Sequence, residues 1–238
     1  MDVKLLAHTR LSDEFYQSAV NGSTYEEDAT DGQFVALSAI RTCYSHNKPS
    51  EIVDLEGERY FGKMATDGEG GTDAHRLFRH IVNSGHTSTL EHITFTFSIE
   101  GVSRSLLAQL TRHRHFSYSV QSQRFVRLET DSKSGGFDYI TPRIYGDEAE
   151  RFNEMMKQAQ DNYDELRRLG VPAEDARFVL PNAAACNLVL TGNLRSILEF
   201  YGKRSAKQAQ WEIRELAEQM KAVIVRVEPW TEAFFKTN

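Results

Sequence analysis

The sequence predicts an α+β domain in which a few strands are surrounded by helices, and three segments carry that prediction. Ile93, Phe95, Phe97 and Ile99 alternate with Thr94, Thr96, Ser98 and Glu100, the period-two pattern of a strand with one buried face. From Asp147 to Leu169, the residues Phe152, Met155, Met156, Ala159, Tyr163 and Leu166 recur at helical spacing, and Gly170 and Pro172 end the run. Ala206 to Val227 reads as a second long helix, with Ile213, Leu216, Met220 and Val223 facing inward. Runs of helix around few strands define the α+β class, and 238 residues, 40% of them hydrophobic, suffice for one compact domain over residues 1–238.

The other elements follow from shorter signals. Phe34, Leu37, Ile40 and Tyr44 form a helical stripe after the turn at Asp31-Gly32. Between Asn47 and Thr72 the composition shifts to Gly, Glu, Lys and Asp, which reads as an exposed, flexible loop at about 47–72. Its Asp67-Gly68-Glu69-Gly70-Gly71 cluster lacks the lysine of a P-loop and reads as flexible backbone rather than a phosphate cradle. Thr72 or Asp73 caps a helix whose inward face is Leu77, Phe78, Ile81 and Val82, ended by Gly85. Ser103 caps another that carries Leu106, Leu107 and Leu110; Leu188 to Leu190 is a short strand and Leu194 to Lys203 a helix.

Composition excludes several functions. The formal net charge of −6 disfavours a protein that grips long nucleic acid by its phosphates. No apolar run reaches bilayer length, and Met1-Asp2-Val3-Lys4-Leu5 lacks the basic start of a signal peptide, so a cytoplasmic protein without a membrane partner is expected. Cys43 and Cys186 form no CxxC or metal-like pattern. His86 and His92 flank Glu91 at a spacing unlike HExxH, so no metal is expected, and His92, just ahead of the buried strand, reads as a hydrogen-bonded core histidine. Trp211 and Trp230 read as core or interface.

Against this acidic background, Arg104, Arg112, Arg114, Arg124 and Arg127 crowd together with His113 and His115. Such a cluster is either splayed into water or compensated by a bound anion. The polar filling between them, Ser117, Tyr118, Ser119, Gln121, Ser122 and Gln123, suits a phosphorylated, hydroxylated ligand. Ser122 lies in no GxSxG elbow and reads as a binding group rather than a nucleophile. The rival reading is a single-stranded nucleic-acid-binding protein that stacks bases on Phe116, Tyr118 or Phe125. A phosphoryl transferase would need metal-binding carboxylates near the arginines, which the sequence does not offer.

Arg112-His113-Arg114, followed after seven residues by Ser122, resembles the signature motif of the flavin-dependent thymidylate synthases. The similarity extends to His86-Thr87-Ser88-Thr89-Leu90-Glu91-His92, Arg177-Phe178-Val179-Leu180-Pro181-Asn182, Thr191-Gly192-Asn193-Leu194-Arg195-Ser196, and Arg204 with Trp211-Glu212-Ile213, in the family's order. The resemblance implies a small, mostly antiparallel sheet within the helices and a homotetramer whose sites lie between subunits. It implies reductive methylation of dUMP to dTMP, with 5,10-methylenetetrahydrofolate as carbon donor and NADPH-reduced FAD as hydride source. It assigns FAD to Arg112, His113 and Arg114, with Ser88, Val120, Asn193, Leu194, Arg195 and Glu199. It assigns dUMP to Gln109, Leu110, Thr111 and Arg112, to Val120, Gln121, Ser122, Gln123 and Arg124, and to Arg177 and Arg204. Ser122 and Arg124 face the phosphate in this reading, and Arg204 stabilises dUMP ionised at N3. The chain departs from the family at Val120, usually Glu or Gln, and at Glu199, where Asn or His is common. Neither cysteine lies in a matching block, which accords with activation of uracil by a route other than thiol attack.

Overall fold

In the computed structural model, which describes residues 1–27 and 29–237, the chain runs β1 (Asp2–His8), α1 (Asp13–Ala19), α2 (Asp31–Thr42), α3 (Ile52–Phe61), α4 (Asp73–Asn83), β2 (Thr94–Ser103), α5 (Arg104–Leu110), β3 (Ser117–Val120), α6 (Asp147–Arg168), α7 (Ala173–Ala176), β4 (Ala185–Asn193), α8 (Leu194–Arg204) and α9 (Trp211–Val227). Short 3-10 helices add Thr87–His92, Arg177–Val179 and Pro229–Phe234. Among the described residues the strands form one four-stranded sheet in the order β1-β2-β4-β3. β2 and β4 run antiparallel: Thr96 Oγ1 lies 2.9 Å from Thr191 Oγ1, while Gly101 N–H donates to Asn187 Oδ1 at 2.9 Å. Phe95, Phe97 and Ile99 are buried on β2, so the expected alternation holds there, and the strand expected at Leu188–Leu190 is longer and alternates too, burying Cys186, Leu188 and Leu190.

The chain divides into two compact units, Met1–Lys4 with Ser98–Leu190, and Leu5–Phe97 with Thr191–Asn238, the division falling inside β1, β2 and β4. In the first, Val102, Leu106, Leu110, Phe116, Met156 and Tyr163 build the core. α6 buries only Met156 and Tyr163; Met155, expected on its inward face, is exposed. In the second, Phe34, Leu37 and Ile40 of α2 are buried where the helix packs against α3, α4 and the Thr87–His92 segment, α8 packs against that segment and against α9, and Phe34 meets Phe61 edge-on at 4.9 Å.

Residues 52–61, inside the stretch expected to be loop, form α3, which buries Ile52, Val53, Tyr60 and Phe61. Its apolar positions are diluted by Asp54, Glu56, Glu58 and Arg59, so the stripe is narrow and average composition hides it. Glu56 also fastens the turn before it, accepting from Arg41 Nε at 2.6 Å, Ser45 Oγ at 2.5 Å and Asn47 Nδ2 at 3.0 Å. α2 starts where a capping box joins Thr30 to Gln33, earlier than the apolar stripe alone indicates. Against its first turn lies the buried carboxylate of Glu228, which accepts from Thr30 Oγ1, from Gly32 N–H at 3.2 Å and from Trp230 Nε1 at 2.6 Å. A Cβ at position 32 would stand 2.5 Å from Glu228 Oε1, so only glycine admits this close approach.

Candidate active site

The first unit holds the arginine motif and, Arg204 apart, the residues expected to bind substrate. Ser103 Oγ accepts from Leu106 N–H at 2.9 Å and starts α5, whose last turn carries Gln109 and Leu110 and whose C-cap is Thr111. Arg112-His113-Arg114 follow in a turn, with both arginines exposed and His113 half-buried, its ring stacked 6.1 Å from that of Phe116. Among the described residues, neither Arg112 nor Arg114 pairs with a carboxylate. The turn is tied down by Tyr118, whose hydroxyl lies 2.7 Å from Leu110 O and 2.9 Å from His113 O. Burial pushes that phenol above its ordinary pKa, so it remains a donor.

Val120 ends β3, and Gln121 N–H then donates to Asn187 O at 2.9 Å. A turn follows in which Ser122 Oγ accepts from Arg124 N–H at 3.1 Å and Ser122 O from Val126 N–H at 3.0 Å. Arg124 Nε reaches Glu174 Oε2 at 2.7 Å, and Arg177 Nε donates to Glu174 O at 3.0 Å. Glu174 thus draws two of the expected substrate arginines to one residue, a partner that the sequence offers no signal for. Gln123 is half-buried in the same turn.

The second unit holds the other cofactor residues and Arg204. Asn193 caps α8, its Oδ1 accepting from Ser196 N–H at 2.9 Å, and Arg195 and Glu199 lie on the first two turns. Arg195 Nη1 meets Glu91 Oε1 at 2.6 Å, and its Nε meets Glu199 Oε1 at 3.3 Å. These bonds, Glu91's first, hold the guanidinium above its usual pKa. Glu91 shares its 3-10 turn with Ser88, and both border a cleft of about 890 Å³ whose wall includes Leu11, Phe15, Val35 and Ala39. Arg204, half-buried, closes the far end of α8, nine residues and so about 14 Å along the axis from Arg195.

Several expectations need revision. Leu110 and Leu194 are fully buried, backbone included, so neither presents a surface to a ligand in this chain; Leu194 N–H is already donated to Ile93 O at 2.8 Å. Tyr118, read as ligand-facing filler, is a tether. Gln121, beside the departure at Val120 and expected to bind dUMP, has its Oε1 engaged by Asn187 Nδ2 at 3.2 Å. His92 is exposed on the cleft rather than a core residue, because the buried alternation begins one residue later, at Ile93. Trp230 is core, its ring 4.7 Å from that of Phe78. Glu91 lies within the His86–His92 segment, but its role depends on a partner 104 residues away.

A family model described as thymidylate synthase complementing protein matches residues 27–230. A flavin-dependent thymidylate synthase of Geobacter sulfurreducens is 47% identical over 152 residues, covering 63% of this chain and 64% of that relative, just under two thirds of its length. One from Nitratidesulfovibrio vulgaris is 37% identical over 203 residues, covering 81% and 77%. The fold matches a crystal structure of a flavin-dependent thymidylate synthase from Helicobacter pylori complexed with FAD and dUMP, with a TM-score of 0.67 at 22% identity over 99% of this chain and 98% of that one. These matches lend the nucleic-acid alternative no support.

Proposed function

The chain belongs to the flavin-dependent thymidylate synthase family, and on that premise we propose how its own residues divide the enzyme's work. The reaction is reductive methylation of dUMP to dTMP, with 5,10-methylenetetrahydrofolate as carbon donor and tetrahydrofolate as by-product. When bound, FAD reduced by NADPH supplies the hydride.

The residues present fit that cofactor. Arg112 and Arg114 are exposed cations without a carboxylate partner among the described residues, which suits a pyrophosphate. The cleft beside Ser88 offers an apolar wall to a flat ring system and a hydroxyl at its edge. Ser122, Arg124 and Arg177 hold the dUMP phosphate, and Gln109, Thr111, Gln121 and Gln123 line the same surface. Arg204 places a cation against the uracil and stabilises the form ionised at N3, which raises electron density at C5. Cys186 is buried and cannot serve as the thiol nucleophile in its place. Each ligand is completed by residues of another subunit in a homotetramer, and the enzyme works in the cytoplasm.

The observation that carries this reading is the pair of uncompensated arginines in a chain of net charge −6. The test is the absorbance spectrum of the purified protein: it is yellow, or retains a yellow flavin after incubation with FAD and removal of the free cofactor, and NADPH bleaches it. A protein that is colourless once free FAD has been removed overturns the proposal.

A further inference from the structure

Arg104 belongs to the arginine cluster but to neither set of residues assigned to FAD or dUMP, yet it is bound to the substrate segment. Its Nη2 donates to Gln121 O at 2.7 Å, while its Nε is buried with no acceptor. Burying a guanidinium nitrogen unpaired is unfavourable, so the side chain is held there by what its other end does. Asn187 grips the same residue from β4: its carbonyl accepts from Gln121 N–H at 2.9 Å and its Nδ2 donates to Gln121 Oε1 at 3.2 Å. Asn187 is itself oriented by Gly101 N–H, which donates to its Oδ1 at 2.9 Å. Gln121 is the last residue paired to the sheet before the turn at Ser122, so Arg104 and Asn187 clamp the point where rigid strand becomes ligand-binding turn.

The clamp also has an electronic consequence. Gln121 C=O and Ser122 N–H belong to one peptide group, and a cation bound to the carbonyl polarises that group and makes its N–H a stronger donor. Among the described residues, neither Ser122 N–H nor Gln123 N–H has an acceptor. Two neighbouring free N–H groups at the start of a turn form a concavity for an anion.

We infer that Arg104 and Asn187 are positioning residues for the phosphate of dUMP, fixing Gln121 so that the backbone N–H groups of Ser122 and Gln123 are presented to it. This rests on the reading that the Gln121 to Arg124 segment holds that phosphate. Neither residue touches substrate; both act through Gln121.

The test uses the full-length, FAD-loaded enzyme carrying Arg104→Gln, Arg104→Lys, Asn187→Leu or Arg104→Gln with Asn187→Leu, and Arg124→Ala alongside. Arg104→Gln should raise the KM and Kd for dUMP by about ten-fold, the scale of one charge-assisted hydrogen bond, with kcat within about two-fold and FAD affinity unchanged. Arg104→Lys, which keeps a cationic donor, should recover most of the loss. The double variant should lose less than the product of the two single effects, because both act on one residue. If Arg124→Ala is impaired in dUMP binding while Arg104→Gln and Asn187→Leu match the parent, the positioning role is overturned and the site reading stands. If Arg124→Ala itself binds dUMP normally, the reading of the segment falls and the inference with it. Should Arg104→Gln fail to fold, Asn187→Leu, at an exposed position, decides: an unchanged KM overturns the inference, and a raised KM at constant kcat supports it.

Discussion

Replacing Tyr118 by Phe separates a structural tether from a ligand contact. The hydroxyl lies 2.7 Å from Leu110 O and 2.9 Å from His113 O, and its single proton is shared between them, so the variant loses one hydrogen bond rather than two. The ring keeps its edge-on contact with Phe116 at 6.2 Å, so little packing is lost. A net loss of about 1 kcal/mol follows, which lowers Tm by about 2–4 °C in a chain of this length. The Arg112-His113-Arg114 turn is then free to move before binding. If binding must restore the same order, FAD affinity falls by about five-fold. Calorimetry and fluorescence titration of FAD read the two effects on one preparation. A variant with the parent's Tm but impaired FAD binding would place the hydroxyl on the ligand, and one unchanged in both would refute the tether.

Arg204→Ala is expected to abolish dTMP formation while leaving FAD binding and the circular dichroism spectrum intact; near-normal turnover removes Arg204 from the mechanism. Arg112→Ala and Arg204→Ala chains, each inactive, should regain part of the activity when co-assembled, and mixtures verified to be mixed yet dead would place each site within one chain. Glu199→Gln should bind FAD like the parent, whereas Glu199→Ala should bind roughly two- to five-fold more weakly, because Arg195 keeps its bond to Glu91; equal affinity in the Ala variant makes Glu199 a solvated helix residue. Burial raises the pKa of Glu228 despite its hydrogen bonds, so the folded protein holds this proton more tightly than the unfolded chain. Its contribution to stability is then fully present below the ordinary glutamate pKa and lost as pH rises through the raised value. Relative to Glu228→Gln, the parent should gain Tm as pH is lowered from 7 towards 4.5, and a difference independent of pH contradicts this.

What the sequence revealed depended on how locally each feature is encoded. β2 and α6 were legible because their apolar periods are long and their caps lie beside them: the Ser103 that ends β2 also starts α5, and Gly170 follows α6. α3 was hidden because Asp54, Glu56, Glu58 and Arg59 interrupt its narrow apolar stripe. β1 and β3 were hidden for another reason: Leu5 and Leu6 give no alternation, and Ser117–Val120 is too short to show a period, so pairing with neighbours decides both. The candidate site divides in the same way. Arg112 to Arg114 and Ser122 were visible as a motif, but Glu174 beneath Arg124 and Arg177, Glu91 on Arg195, and Arg104 on Gln121 are long-range partners without a local signature.

Those partners sort the arginines by what remains of their charge. Arg195 stands between Glu91 and Glu199, so its neighbourhood carries one more negative charge than positive, and a phosphate placed there would meet net repulsion. Arg112 and Arg114 carry their full charge to solvent. A dinucleotide cofactor spans both chemistries, since its pyrophosphate needs uncompensated cations while its hydroxyls and adenine amine can donate to carboxylates. Glu199, one of the two residues at which this chain departs from the family pattern, is therefore compatible with the proposed cofactor on one condition: the Arg195 surface receives hydroxyls or an amine, and Arg112 with Arg114 receives the phosphates. That allocation also accounts for why arginine content alone could not place the cofactor. The chain has arginines in both places, and only the positions of Glu91 and Glu199 distinguish them.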